Sequence, residues 1–298
     1  MISTTKHYDV IYTGNYTKDT IITPDGTRYV DGGGMNYAAH AGMRLGIKAA
    51  VVTRLAKEDA YVVENIQADG IDCYPIYSPY STLMTLEYKT YDVDNRNLYV
   101  KNIAETIKPE HLDGLTAKAI AVSPSIRGEV EPEFFKKMRK RNGILLAADV
   151  QGFVRVLHGE ALIYEVWDDM EIILPCLDIL KSDAVEAKFL TGEDDIEKAA
   201  QRYASYGVKE IVLTHSEGVL IYADRKNFHY KFHSKSMDGR SGRGDTCLGS
   251  YVAKRLSLPP CEAGKWAAAA TSMKVEKPGV FKHSIPEVEA YIARYYAN

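Results

Sequence analysis

A chain of 298 residues with a formal net charge of −3 is long enough for one large α/β domain and carries no basic footprint for nucleic acid. No apolar run approaches a membrane span, and Met1–His7 lacks the charged and apolar regions of a signal peptide. Four scattered cysteines (Cys73, Cys176, Cys247 and Cys261) without a C-x-x-C pair, and eight histidines without metal-ligand spacing, argue against a disulfide framework or a zinc site, so a reduced, cytoplasmic protein is expected.

In chain order, short apolar runs predict strands at Tyr8–Thr13, Ala49–Thr53, Ala119–Val122, Gly143–Asp149, Ile179–Lys181, Glu210–Thr214 and Gly218–Ala223. Helical stretches fall between them at Met35–Leu45, Ala60–Ala68, Glu131–Arg141, Asp195–Tyr206 and Trp266–Lys274. This alternation predicts a mostly parallel sheet flanked by helices on both faces. Two stretches break the rhythm. Cys73–Lys101 is rich in Thr, Tyr and Val, with a turn-like Asp94-Asn95, and Asp19–Val30 surrounds Pro24-Asp25-Gly26. Both read as β-hairpins, and a small sheet over the mouth of one domain spanning 1–298 is expected, with strands from about 14–31 and 73–101.

Several motifs sit where chemistry is done in such sheets. Asp31-Gly32-Gly33-Gly34 opens a small-residue helix and permits close approach of a ligand, or simply a tight turn. Asp149, Gln151 and Arg155 follow a strand, beyond whose carboxyl end ligands bind. A structural ion pair accounts for them equally. Lys181-Ser182-Asp183-Ala184-Val185-Glu186 also follows a strand. Asp183 and Glu186, three apart, share a helical face suited either to hydrated Mg2+ or to capping the helix. Thr214-His215-Ser216-Glu217-Gly218 joins two strands as a polar turn that touches a nucleotide or does nothing chemical.

Ser241-Gly242-Arg243-Gly244-Asp245-Thr246 is the most informative stretch. Glycines at a helix start let backbone N–H groups converge on a phosphate, and Asp245 in the first turn is placed to take a proton from a hydroxyl attacking phosphorus. The competing reading is a shaped loop with Asp245 as a helix cap. There is no G-x-x-x-x-G-K-[ST], G-x-G-x-x-G after the first strand, H-R-D, D-F-G or G-x-S-x-G. P-loop enzymes, dehydrogenases, protein kinases and α/β-hydrolases are thereby disfavoured.

Taken together, the glycine pair at Gly32-Gly33, K-x-D-x-x-E-A-x-x-L-T-G at Lys181–Gly192 and G-x-G-D at Gly242–Asp245 resemble the ribokinase/PfkB family of small-molecule kinases, in order and spacing, across the whole chain. The resemblance implies a ribokinase-like α/β fold with a small β lid, and an ATP-dependent transfer of phosphoryl to a hydroxyl of a small sugar or polyol. It implies Asp245 as catalytic base and backbone N–H groups of Gly242, Arg243 and Gly244 as the anion hole. Asp183 and Glu186 would order Mg2+. Asp19, Gly32, Gly33, Asn36, Gln151 and Arg155 would meet the acceptor. Lys181, Thr214, Ser216 and Gly218 would meet the nucleotide, along with residues near Ala270–Lys274.

The departures bear on specificity. Tyr37 stands where the family has its sugar-contacting Asn, with Asn36 one place earlier. Asp238-Gly239-Arg240-Ser241 replaces the usual D-T-T, leaving a monovalent-cation site undecided. Arg243 replaces a small residue and Cys247 a Phe. A nucleoside kinase, with Tyr88, Tyr91 or Tyr99 walling a base, stays open beside the polyol reading. So does a non-catalytic ligand-binding protein on the same fold. Exposed lid edges leave a homodimer through the lid open as well.

Overall fold

The computed structural model describes residues 5–90 and 96–297. Its first strand, β1 (Lys6–Thr13), is followed by the hairpin β2 (Thr17–Thr23) and β3 (Gly26–Asp31), then α1 (Gly34–Arg44), β4 (Ala49–Ala56), α2 (Tyr61–Ala68) and β5 (Asp72–Ser78). There follow β6 (Thr82–Glu87), β7 (Asn97–Val100), β8 (Leu115–Val122), α3 (Pro132–Arg139), β9 (Leu145–Asp149), the short α4 (Gln151–Val154), β10 (Arg155–His158), β11 (Ala161–Tyr164) and α5 (Met170–Ile173). The remaining elements are β12 (Ile179–Asp183), α6 (Ala184–Thr191), α7 (Ile196–Ser205), β13 (Glu210–Thr214), β14 (Gly218–Ala223), β15 (Lys226–Lys231), α8 (Arg243–Arg255), α9 (Pro260–Lys274) and α10 (Ile285–Tyr295).

Nine strands form the large sheet in the order β15-β14-β13-β12-β9-β8-β1-β4-β5. From β13 to β5 every neighbouring pair is parallel, and β14 and β15 add an antiparallel edge. The central strands read as continuous apolar runs because both faces are covered: all eight residues of β4 are buried. One face packs Met35, Leu248 and Tyr251 from α1 and α8, with the alanines of α9. The other packs Phe134, Phe135, Trp167 and Tyr203. The expected strands and helices occur in the expected order, with α9 starting earlier, at Pro260.

A second sheet has the order β10-β11-β7-β6-β2-β3. In β6 the pattern of buried and half-buried residues alternates strictly, and Met84 and Leu86 join Ile21, Tyr88, Val100 and Ile126 in a small core of its own. Its composition differs from expectation at two places. Asp72–Ser78 pairs in parallel with β4 in the large sheet, because it completes a β-α-β unit through α2. Arg155–Tyr164, not singled out as strand, supplies β10 and β11, with Ala161 opposite Tyr99 of β7. The Asp94-Asn95 turn and Tyr91 lie outside the described residues.

Candidate active site

Parallel strands all end at one edge of their sheet, so β9, β12 and β13 deliver Asp149, Lys181, Asp183 and Thr214 to the same rim. The N-terminus of α8 meets them there. Its N-cap, Gly242, takes a left-handed conformation at φ 77°, and a Cβ at that position would be driven into the Tyr37 ring beneath. α1 starts opposite. Gly34 lies so near Asp245 and Ser123 that any side chain there would collide with the Asp245 carboxyl. Two helix N-termini thus flank one carboxylate, with the small sheet above contributing Asp19, Met84 and Leu86 to the same cavity.

Asp245 keeps part of its surface open to this cavity, and its Oδ1 lies 3.4 Å from Gln151 Nε2. Burial, then the neighbouring Asp149 carboxylate, pushes its carboxyl up to about 6, against the pull of Lys181 and Arg155. Behind it Lys181 Nζ sits 3.0 Å from Asp149 Oδ2, both side chains almost wholly buried. Burial disfavours that ammonium, but Asp149, Glu186 and Asp183 outweigh it and raise its affinity for the proton. Asp149 Oδ1 also accepts from the Gln151 N–H at 3.0 Å.

Asp183 and Glu186 form a reciprocal cap on α6: Glu186 N–H donates to Asp183 Oδ1 at 2.8 Å and Asp183 N–H to Glu186 Oε2 at 2.9 Å. The other oxygen, Glu186 Oε1, has no hydrogen-bond partner and lies 3.6 Å from Arg155 Nη2. Burial and the Asp183 charge push Glu186 up to about 7. Among the described residues no three His, Cys, Asp or Glu side chains converge as a ready-made metal cage. Asp183 lines the cavity and is the carboxylate placed to touch a hydrated divalent ion, in the manner usual for Mg2+, while Glu186 is wholly buried behind it.

Most of the expected site residues are brought together. Asp19, Gly33, Gln151, Arg155, Lys181, Asp183, Thr214 and Gly242–Asp245 line one cavity. Ser216 lies in an adjoining cavity with Thr214, His215 and Tyr99. Asp19 is almost fully buried, its Oδ1 unpartnered, and burial pushes it up to about 7. Gly32 lies behind Asp19, its N–H donating to Thr17 O at 2.8 Å. Asn36 is buried beside Asp31 with Oδ1 unpartnered, and Tyr37 lines the cavity in its stead.

Three expectations need correction. The Arg243 N–H, expected in the anion hole, instead donates to Arg240 O at 3.0 Å within its own loop. Gly218 is a buried strand residue opposite Lys231, where a side chain would strike the Tyr230 backbone; its smallness serves packing. Ala270–Lys274, expected near the nucleotide, is buried: Ala270, Thr271 and Ser272 are fully so, and the Lys274 ammonium donates to Gly239 O and Ser241 O.

Sequence reasoning missed Arg96, Arg240, Met84 and Leu86, which also line the cavity. Arg240 adjoins the motif and was within reach. Arg96 carries no local signal, since only the pairing of β7 with β6 brings it over the site.

No family model matches the chain. A pyrophosphate-dependent kinase of the ribokinase family, solved with sulfate, is 30% identical over 95% of this chain and 100% of that one, with a TM-score of 0.88. A pyrophosphate-dependent kinase of the same family complexed with a pyrophosphate analogue and myo-inositol is 29% identical over 95% of this chain and 100% of that one, with a TM-score of 0.86. Cytidine kinase of Thermococcus kodakarensis is 25% identical over 257 residues, 82% of this chain and 87% of that protein. The fold and these kinase relatives define a small-molecule kinase. The chain belongs to the ribokinase family. The reading as a binding protein without catalysis is thereby set aside.

Proposed function

We propose that this kinase transfers a phosphoryl group from pyrophosphate to a hydroxyl of a cyclitol or similar polyol, with Asp245 as the general base. The observation that carries this reading is the pairing of two kinds of group in the cavity that holds Asp245. Arg240 and Arg243 line it as cations suited to a compact polyanion. Asp19 and Tyr37 line it too, with unused hydrogen-bonding capacity at Asp19 Oδ1 and the Tyr37 hydroxyl. A ring of hydroxyls would satisfy such groups, and buried polar atoms left without partners are costly.

The resemblance alone leads to ATP as donor. Two observations support pyrophosphate instead. The stretch expected around the nucleotide, Ala270–Lys274, is sealed by the protein's own loop. The relatives at 29–30% identity are described as pyrophosphate-dependent. ATP remains the second reading, favoured by the adjoining cavity that Leu98, Tyr99, Ile163 and His215 line.

In the transfer, the ionised Asp245 carboxyl accepts the proton of the attacking hydroxyl as its oxygen bonds to phosphorus, the bridging P–O bond of pyrophosphate breaks and orthophosphate leaves. The Gly242 and Gly244 N–H groups and the α8 N-terminus stabilise charge gathering on the transferred group. Asp183, oriented by the buried Glu186, would hold Mg2+ through its waters, and the bound ion would neutralise charge on the phosphate oxygens. Arg155 beside Glu186 keeps that carboxylate oriented.

A nucleoside acceptor is less well supported. Tyr37, the aromatic residue lining the cavity, already has Gly242 against its ring and Lys274 Nζ 5.0 Å from its centre. Tyr88 is buried with its hydroxyl taken by Arg96 at 3.1 Å. A homodimer through the outer strands β3 and β10, and a reducing cytoplasmic setting for four unpaired cysteines, belong to the same reading.

The test is a product assay with Mg-pyrophosphate and Mg-ATP, each against cyclitols, sugars and nucleosides, with Asp245→Asn as the blank. Turnover with pyrophosphate and an inositol, lost in the variant, is expected. Turnover confined to ATP would reject the donor, and turnover confined to nucleosides would reject the acceptor.

A further inference from the structure

Lys274, the last residue of α9, is only 3% exposed, yet it carries an ammonium group. A buried charge is costly unless it is well partnered. Its partners are two backbone carbonyls of a single loop, Gly239 O and Ser241 O, with the Tyr37 ring alongside. This loop runs from β15 to α8 and ends in the anion-hole residue Gly242. It is pinned again where the Gly239 N–H donates to Val275 O at 2.8 Å.

In a trans peptide the C=O and the next N–H point in opposite directions. Drawing Ser241 O inward onto the ammonium therefore turns the Gly242 N–H the other way. Drawing Gly239 O inward does the same for the Arg240 N–H. Two carbonyls separated by one residue and converging on one positive charge are the ligand pattern of a bound cation.

We propose that Lys274 serves as a built-in cation: its ammonium sets the peptide planes at 239–240 and 241–242, aims the Gly242 N–H at the donor phosphate, and makes turnover independent of dissolved monovalent cations. This rests on the reading of Gly242 as part of the anion hole. Lys274 touches no reacting atom and is a positioning residue.

The wild-type enzyme is assayed in sodium, potassium, ammonium and tetramethylammonium salts at constant ionic strength, and Lys274→Ala in the same series with added methylammonium. Equal wild-type turnover in all four is expected, with kcat/KM of the variant down about 100-fold and regained about tenfold with methylammonium, which fits the vacated space. Wild-type turnover that rises tenfold or so with potassium would overturn the proposal. An undiminished variant, or a folded variant whose loss no cation reverses, would do the same, the second outcome leaving Lys274 a packing role alone. Should Lys274→Ala fail to fold, the wild-type cation series decides by itself. If the wild type turns over no donor, the proposed function fails and amide exchange decides for Lys274. Faster exchange across 239–245 in the variant, slowed again by methylammonium, supports it; unchanged exchange refutes it.

Discussion

Asp245 combines two properties that are separately measurable. Its carboxyl rests at about 6 because burial and Asp149 disfavour the charged form. As a base it must be ionised, so kcat/KM is expected to fall about tenfold per pH unit below pH ~6 and to level off above it. A profile flat to pH 5 would remove Asp245 from that role. Asp245→Asn should lower kcat by ~10²–10⁴-fold. The same group works against stability. A carboxyl raised in the folded state stays protonated while its unfolded counterpart ionises, so stability is lost as pH rises from about 4 to about 6. Asp245→Asn is therefore expected to melt several degrees higher than wild type at pH 7, and an unchanged or lower Tm would contradict the burial argument. Arg243 lines both the cavity that holds Asp245 and its neighbour. Arg243→Ala should raise the donor KM about tenfold or more with little change in the acceptor KM, as removal of a charge-assisted phosphate contact does.

The critical elements are the helix N-termini. α8 can start where it does because Gly242 takes φ 77° with Tyr37 packed beneath it. Gly242→Ala imposes both a left-handed alanine, ~1 kcal/mol, and a collision with the ring. The expected outcome is a folded protein with a lower Tm and turnover reduced far beyond the stability loss; retained turnover would mean the loop does not form the anion hole. At α6, Asp183→Ala removes the N-terminal cap, about 1 kcal/mol, and should raise the Mg2+ concentration needed for half-maximal rate. A lower Tm with unchanged Mg2+ dependence would assign Asp183 to capping alone. Both helix starts were legible in the chain, because glycine and acidic residues at a helix N-terminus announce themselves locally. The Arg243 N–H bond to Arg240 O was not, since it depends on how the preceding loop folds back.

At the scale of the molecule the site is a cleft between two sheets, the large sheet and α8 below and the small sheet above. β2 and β6 carry Asp19, Met84 and Leu86 into the cavity. If the small sheet acts as a lid, acceptor and donor together should slow amide exchange in β2 and β6 more than in β4, which is buried already. Equal protection in all three strands would mean a rigid cleft.

The central strands and the helices between them could be read from sequence, because a strand buried on both faces is a continuous apolar run and an amphipathic helix has its own period. The G-x-G-D stretch and the Asp183–Glu186 pair could be placed at helix starts for a similar reason, since glycine and capping signals are local to one helix start. Tertiary structure alone decided what meets them. Cys73–Ser78 and Arg155–Tyr164 are both short β-prone segments, and nothing within either says that the first joins β4 while the second joins β7. Lys274 lies 29 residues after Asp245 in the chain, and only the return of α9 beneath the 238–241 loop brings its ammonium onto Gly239 O and Ser241 O. Local hydrogen bonding and hydrophobic period are written in neighbouring residues; long-range pairing is settled by which surfaces the folded chain can bury together.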